Sequence, residues 1–222
     1  MAVVATYPKL SGDWLRHEND PRLNREEVTI VAGTGNLKTG SVLAKITTGA
    51  ATSAAKSGGN TGNGAMGSIT VGATAQVGVY RLRITTAAAN AGQFQVTDPQ
   101  GDAVGLGTVG VAFSGGGLSF TLADGSADFI VGDGFDITVA AGNNKWAFHD
   151  PAATNGAQVA AGILLDAVDA SGGSDVEGVV VTGNAEIVAL NLEWGAGVTT
   201  NNQKNAALAQ LATLGFKTRQ LA

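Results

Sequence analysis

From Tyr80 to Ile84 the chain reads Tyr-Arg-Leu-Arg-Ile, with apolar and charged side chains alternating without a break. A period of two puts one row on a buried face and the other in water only if the backbone is extended, so this segment is a strand with one dry side. Similar short runs recur throughout the sequence, separated by glycine, asparagine and aspartate. The chain holds 33 Gly among its 222 residues, and glycine supplies the left-handed backbone positions that tight turns need. A turn-rich, mainly β protein is the fold class these features dictate.

Composition narrows the function. Hydrophobic residues reach 44%, enough to build a core, while charged residues make up 14% and aromatic ones 5%. The formal net charge of −5 argues against a general nucleic-acid binder, because such proteins cluster Lys and Arg to displace counterions from phosphate. Here the densest basic group, Arg16, Arg22 and Arg25, is interspersed with acids. There is no cysteine, which excludes disulfides and thiolate metal sites. No apolar run approaches the ~20 residues of a membrane span. Residues 1–8, Met-Ala-Val-Val-Ala-Thr-Tyr-Pro, lack the basic region and long apolar core of a secretory signal. Synthesis in the cytoplasm, with no membrane partner, is the expectation.

Four regions are expected along the chain. Residues 1–25 form an arm with sparse apolar anchors, Tyr7, Leu10, Trp14 and Leu15, and no sustained period. Disordered tails are poor in aromatics, so this arm is expected to order against a partner. Residues 26–48 carry two strands, at 28–31 and 41–47, and the module they begin resumes at 144–222. Residues 49–67, rich in Gly, Ala, Ser and Thr, read as a flexible linker or long loop. No Gly-Lys-Ser/Thr and no helix follow its glycines, so it is not a phosphate loop. Residues 68–143 are expected to fold separately, as a small sandwich or roll with strands at 68–71, 78–85, 93–96, 109–113, 118–122, 128–131 and 135–139. In the resumed module, 160–166 and 178–182 are near-continuous apolar strands, and 185–192 follows a Gly-Asn turn. A short C-terminal helix opens on a capping box, Thr200 with Gln203. It presents Leu208, Leu211, Ala212 and Leu214 on one face, and ends on Gly215-Phe216 in a Schellman turn.

Chemistry-bearing residues are few. His17 and His149 are the only histidines. No Gly-x-Ser-x-Gly elbow accompanies them, and His149, before Asp150-Pro151, reads as a solvated turn residue. Asp124, Asp128, Asp133 and Asp136 share one stretch, but Phe129-Ile130-Val131 divides them between two turns. Calcium needs six to eight converging oxygens, so turn-forming aspartates are the expectation and a calcium site the alternative. Trp146, Trp194 and Phe216 are expected at the core edge or a subunit interface. No catalytic, metal or cofactor site is expected, and no enzyme.

Two stretches far apart in sequence read as one module. Leu37-Lys38-Thr39-Gly40-Ser41-Val42-Leu43-Ala44-Lys45 and Asn155-Gly156-Ala157-Gln158-Val159-Ala160-Ala161-Gly162-Ile163-Leu164, with the closing Leu211-Ala212-Thr213-Leu214-Gly215-Phe216, resemble the lambda-type head decoration proteins of tailed phages. The resemblance covers residues 1–47 and 145–222; the insertion after Thr47 is the departure from minimal family members. It implies a homotrimer on the outer surface of the expanded capsid, partnered by the major capsid protein and stabilising contacts between capsomers. It also implies that the N-terminal arm pairs with the shell, which makes Tyr7, Leu10, Trp14, Leu15, Arg16 and Arg22 candidate contacts. Weak arms multiplied threefold could give a durable clamp. The insert is then expected to project as a spike-like β domain. The rival expectation makes that insert a virion-surface carbohydrate- or receptor-binding module, although it offers no aromatic stripe.

Overall fold

The structure, a computed structural model, describes residues 9–219. The chain divides into two compact units, one made of residues 1–46 and 144–222 and the other of residues 47–143. Both are mostly β, as the sequence requires. Among the described residues no helix is long and apolar enough to cross a membrane.

The first unit begins with a helical turn α1 (Ser11–Trp14), strand β1 (Leu15–Glu18), a second turn α2 (Pro21–Asn24), and strands β2 (Arg25–Ile30), β3 (Gly35–Leu37) and β4 (Val42–Lys45). The second unit supplies β5 (Thr48–Ala55), β6 (Ala65–Met66), β7 (Thr70–Val71), β8 (Gly78–Ala88), β9 (Ala91–Thr97), β10 (Ala103–Thr108), β11 (Ala112–Gly115), β12 (Leu118–Ala123) and β13 (Gly134–Ala141). The first unit then resumes with β14 (Trp146–Phe148), β15 (Ala160–Leu164), β16 (Val168–Ala170), β17 (Val176–Val181), β18 (Ala185–Val188), α3 (Asn201–Thr213) and β19 (Lys217–Arg219).

The centre of the first unit is a closed barrel in the order β14-β2-β17-β15-β4. Two of its strands precede the insertion and three follow it, so neither flank can close the barrel alone. β4, β15 and the end of β17 are apolar on both faces because both are covered. Leu43, Leu164 and Val180 point into a cluster with Val28, Ile30 and Trp146. Their neighbours Val42, Ile163 and Val181 point the other way, into a cluster with Trp14, Ile187, Leu211 and Phe216. That second layer is roofed by α3 and by the sheet β1-β18-β19.

The insertion sits at a turn. β4 and β14 are antiparallel neighbours, with Lys45 opposite Trp146. Beyond them the Ile46 N–H donates to Lys145 O and the Asn144 N–H to Ile46 O, both at 2.9 Å. Asn144 has φ +58°, in the left-handed region that asparagine tolerates. A β-turn closed by such a bond and followed by a left-handed residue is the usual three-residue hairpin loop. Residues 47–143 therefore occupy the place of the two central residues of one β-turn.

The second unit has two sheets around one core. The larger runs β10-β9-β8-β13-β5 and the smaller β11-β12-β6, with β7 also pairing to β12. Tyr80, Leu82 and Ile84 are buried as their alternation demands, together with Phe94, Phe113, Phe120 and Ile137. The rings of Phe113 and Phe120 lie 5.0 Å apart, and Phe94 joins them at 5.7 Å from Phe113. Residues 49–67 are not a free linker: the first seven belong to β5, which pairs along β13 from Thr48–Ala141 to Ala55–Phe135. Residues 128–131, expected as a strand, form a loop instead: the Ile130 N–H is taken up by the Asp133 carboxylate, and Asp128 reaches across to the Asn90 N–H.

The C-terminal helix forms with its Thr200–Gln203 capping box. Gly215 at φ +87° closes it: the Phe216 N–H reaches Leu211 O and the Gly215 N–H reaches Ala212 O, the two bonds of a Schellman ending. The buried face, however, is Ala207 and Leu211 with Leu208 half-covered, whereas Ala212 and Leu214 are exposed.

Candidate functional site

The N-terminal segment is the first candidate for contact with a partner, and most of it is already folded onto the barrel. Asp20 caps α2 by accepting the Arg22 N–H at 2.9 Å, and Asp13 accepts the Leu10 N–H at 2.9 Å. Between them β1 pairs antiparallel to β18, with Leu15 opposite Ile187 and Glu18 opposite Ala185. The segment is anchored by Trp14, which is fully buried. Its indole N–H donates to Thr39 Oγ1 at 3.0 Å, and that hydroxyl donates onward to Leu165 O. Gly40 makes the pocket: with φ +84°, a Cβ there would stand 3.0 Å from Trp14 Cδ1. Further ties are the Lys9–Glu193 ion pair at 2.9 Å and an Asn191 Nδ2 bond to Asp13 O at 2.7 Å.

These contacts correct the expectation of an arm without structure of its own over residues 9–25. Trp14, expected among the partner contacts, is enclosed inside its own module. Leu15 is half-buried for the same reason. Leu10, Arg16 and Arg22 remain exposed, with Leu10 at 68%. Tyr7 lies outside the described residues. Leu23, which sequence reasoning passed over, is 80% exposed on α2; a leucine beside Arg22 and Asn24 gave no periodic signal.

A second feature lies between the 3-10 turn Ala189–Asn191 and α3. A groove of about 280 Å³ is lined by Leu190, Leu192, Trp194, Lys204 and Leu208. Leu190 at its lip is 86% exposed. Trp194 is half-covered against the layer beneath, whereas Trp146 and Phe216 are core residues. The three aromatics therefore divide, and only Trp194 borders an open surface.

The aspartates of the second unit do not converge. Burial opposes ionisation of Asp133, but three backbone donors overcome it: Gly62 at 2.9 Å, Thr61 at 3.0 Å and Ile130 at 3.1 Å. With Lys56 nearby, they hold its carboxyl below the usual range. Asp128 accepts the Asn90 N–H at 2.8 Å, and Asp136 pairs with Arg83 at 2.8 Å. Both oxygens of Asp124 are enclosed without a partner. Among the described residues no group of three or more His, Asp or Glu side chains is placed to hold a metal.

The histidines are separate. His17 is exposed on β1. His149 is not the solvated turn residue expected: it is 2% exposed, with Nδ1 3.2 Å from Ala157 O. A carbonyl only accepts, so the neutral ring carries its proton on Nδ1. Burial pushes its pKa down, more than the Ala157 carbonyl and Asp150 raise it.

The geometry is thus a closed barrel that latches its own N-terminal segment and carries a second β unit in one of its turns. The chain belongs to the bacteriophage lambda head decoration protein D family, whose model matches residues 4–216. The match runs across both flanks of the insertion. The family is a structural one that decorates phage capsids. No curated protein matches the chain. Among solved structures, Xanthomonas campestris FlgL (space group H3) is similar at 22% identity, covering 50% of this chain and 33% of its own, with a TM-score of 0.33. The flagellar junction protein FlgL from Legionella pneumophila follows at 18% identity, 47% and 35% coverage and a TM-score of 0.34. The chain thus spans about a third of those flagellar chains, and likeness at that level carries no argument.

Proposed function

We propose that this head decoration protein binds the outside of the mature capsid as a homotrimer and stabilises the contacts between capsomers. The observation that carries the reading is the barrel. The family model matches residues 4–216, and within that span the two flanks of the insertion close on each other, with β2 and β4 completed by β14, β15 and β17. The partner is the major capsid protein, met by the N-terminal segment through main-chain pairing and a few side-chain pockets. Residues 9–25 are already held on the module by Trp14 and by the pairing of β1 with β18, so they need no ordering on the shell. That lowers the entropy cost of binding by roughly 1–2 kcal/mol for each residue already fixed. The exposed Leu10, Arg16, Arg22 and Leu23 flank that contact. The groove beside Trp194 and Leu190 serves the contact between protomers. The role is mechanical and requires no catalytic group.

The experiment is co-sedimentation of the purified protein with expanded capsids that lack it, using the full chain and a variant without residues 1–8. Saturable binding by the full chain, lost or weakened at least tenfold in the truncated one, with decorated capsids harder to disrupt, is the expected result. No binding by the full chain refutes the reading. Removing residues 1–25 is the wrong test, because it deletes a core tryptophan along with the contact.

A further inference from the structure

One edge of the larger sheet in the second unit is unpaired among the described residues, with only the short β7 packed near it. β5 is the last strand of its sheet. The Lys56 N–H donates to Gly134 O on β13 at 3.0 Å. Since successive residues of a strand turn their backbone groups to opposite sides, Ala54 and Thr52 also face β13, and Ala51, Ser53 and Ala55 face outward. Among the described residues no strand pairs with that outward side of β5. Residues 52–55 are all exposed.

Natural proteins blunt such edges with charge, proline, bulges or cover. Three other edge strands are blunted. β1 carries Arg16 and His17 and a register shift between Leu15 and His17. β19 consists of Lys217, Thr218 and Arg219. β10 shifts register between Ala103 and Gly105 and lies against β11. β5 reads Thr-Gly-Ala-Ala-Thr-Ser-Ala-Ala, without charge or proline. Its one irregularity with β13 falls between Val139 and Ala141, opposite the strand's start, so residues 51–55 are regular.

We propose that this edge is a homotypic pairing surface, taking residues 51–55 of a second copy of the chain as an antiparallel partner centred on Ser53. In that register Ser53 faces Ser53 and Ala51 faces Ala55, and each outward residue exchanges both its backbone bonds with its counterpart. The choice of occupant follows from the side chains. A foreign peptide is held in register by pockets for alternate side chains, and this edge offers none. It accepts a strand as small and uncharged as itself, and β5 meets both conditions with no like charges brought together. The contact buries little area, so it is weak between free molecules and fills when copies are held close. This goes beyond capsid binding: it would link neighbouring decoration proteins to one another.

The chain has no cysteine, which makes the test simple. The full chain is prepared as Ser53→Cys and, separately, as Ala89→Cys, an exposed position in the turn between β8 and β9. Facing residues of a bonded antiparallel pair have Cα atoms about 5.5 Å apart, within the roughly 4.4–6.8 Å that a disulfide spans. Under mild oxidation at high protein concentration, Ser53→Cys should form covalent dimers about tenfold faster than Ala89→Cys. Adding Thr52→Lys, which places like charges across the pair, should remove that advantage. Equal rates for the two cysteine variants overturn the proposal, as does an advantage that survives Thr52→Lys. Capsid co-sedimentation of the same variants is a separate measurement, so loss of head binding and loss of self-pairing are distinguishable.

Discussion

Replacing Trp14 by alanine tests whether the N-terminal segment is part of the decoration module or an appendage to it. A buried tryptophan hides about 150–250 Å², which at ~25 cal/mol per Å² is worth about 4–6 kcal/mol. That is an upper bound, because the denatured chain already buries part of this surface. Tryptophan-to-alanine changes in cores cost about 3–5 kcal/mol, and the lost indole bond to Thr39 adds ~1 kcal/mol. A destabilisation of about 4 kcal/mol is expected, a large part of what a domain of this size possesses. All three tryptophans, Trp14, Trp146 and Trp194, lie outside residues 47–143, so tryptophan fluorescence during urea unfolding reports the barrel unit alone. Trp14→Ala keeps two of the three reporters. The expected result is an earlier barrel transition, an unchanged circular-dichroism transition for the insert, and faster tryptic cleavage at Arg16, Arg22 and Arg25. Gly40→Ala, which forces a Cβ against the same indole at a left-handed position, should shift the same transition in the same direction. A loss below ~1 kcal/mol in Trp14→Ala, with cleavage unchanged, would refute the latch.

Two further outcomes follow from the fold. Excising residues 47–143 and joining Ile46 to Asn144 through two turn residues should leave a folded barrel, since the closing bonds and the left-handed asparagine are already in place; a tryptophan spectrum of unfolded protein would contradict this. Stability should also fall in acid in separable steps. His149 has its folded pKa lowered from 6.5, so the unfolded chain takes up the proton first: the contribution of the neutral ring is complete above pH 6.5 and drains as pH falls through the window beneath it. Asp133 has its folded pKa lowered from 3.8, so its contribution is complete above that value and is lost only as pH falls below it. Barrel unfolding followed by tryptophan should weaken first, and His149→Gln should flatten that slope; an unchanged slope in the variant would rule the histidine out.

Much of this was legible along the chain. Tyr80, Leu82 and Ile84 announce a strand with one dry face because side-chain direction in a strand depends only on parity. Thr200, Gln203 and Gly215 announce the ends of a helix because capping is settled within a few residues. The near-continuous apolar strands of 160–166 and 178–182 announce burial on both faces. β5 was hidden because Thr-Gly-Ala-Ala-Thr-Ser-Ala-Ala has no alternation and no large apolar side chain; its extended state comes from pairing to β13, eighty or more residues away. Leu23 and Leu190 gave no signal either, since exposure of a single leucine is set by what packs nearby.

The sequence by itself determined that this is a turn-rich β protein interrupted near Thr47, with a capped C-terminal helix and the marks of a head decoration protein. Those properties rest on local preferences and on patterns repeated every two or four residues. Only the tertiary structure decided that the barrel closes across the interruption, that Trp14 is an internal anchor, that His149 is buried, and that the four aspartates go separate ways. Each of these depends on which distant backbone groups come within hydrogen-bonding reach, and no short window of sequence contains that information.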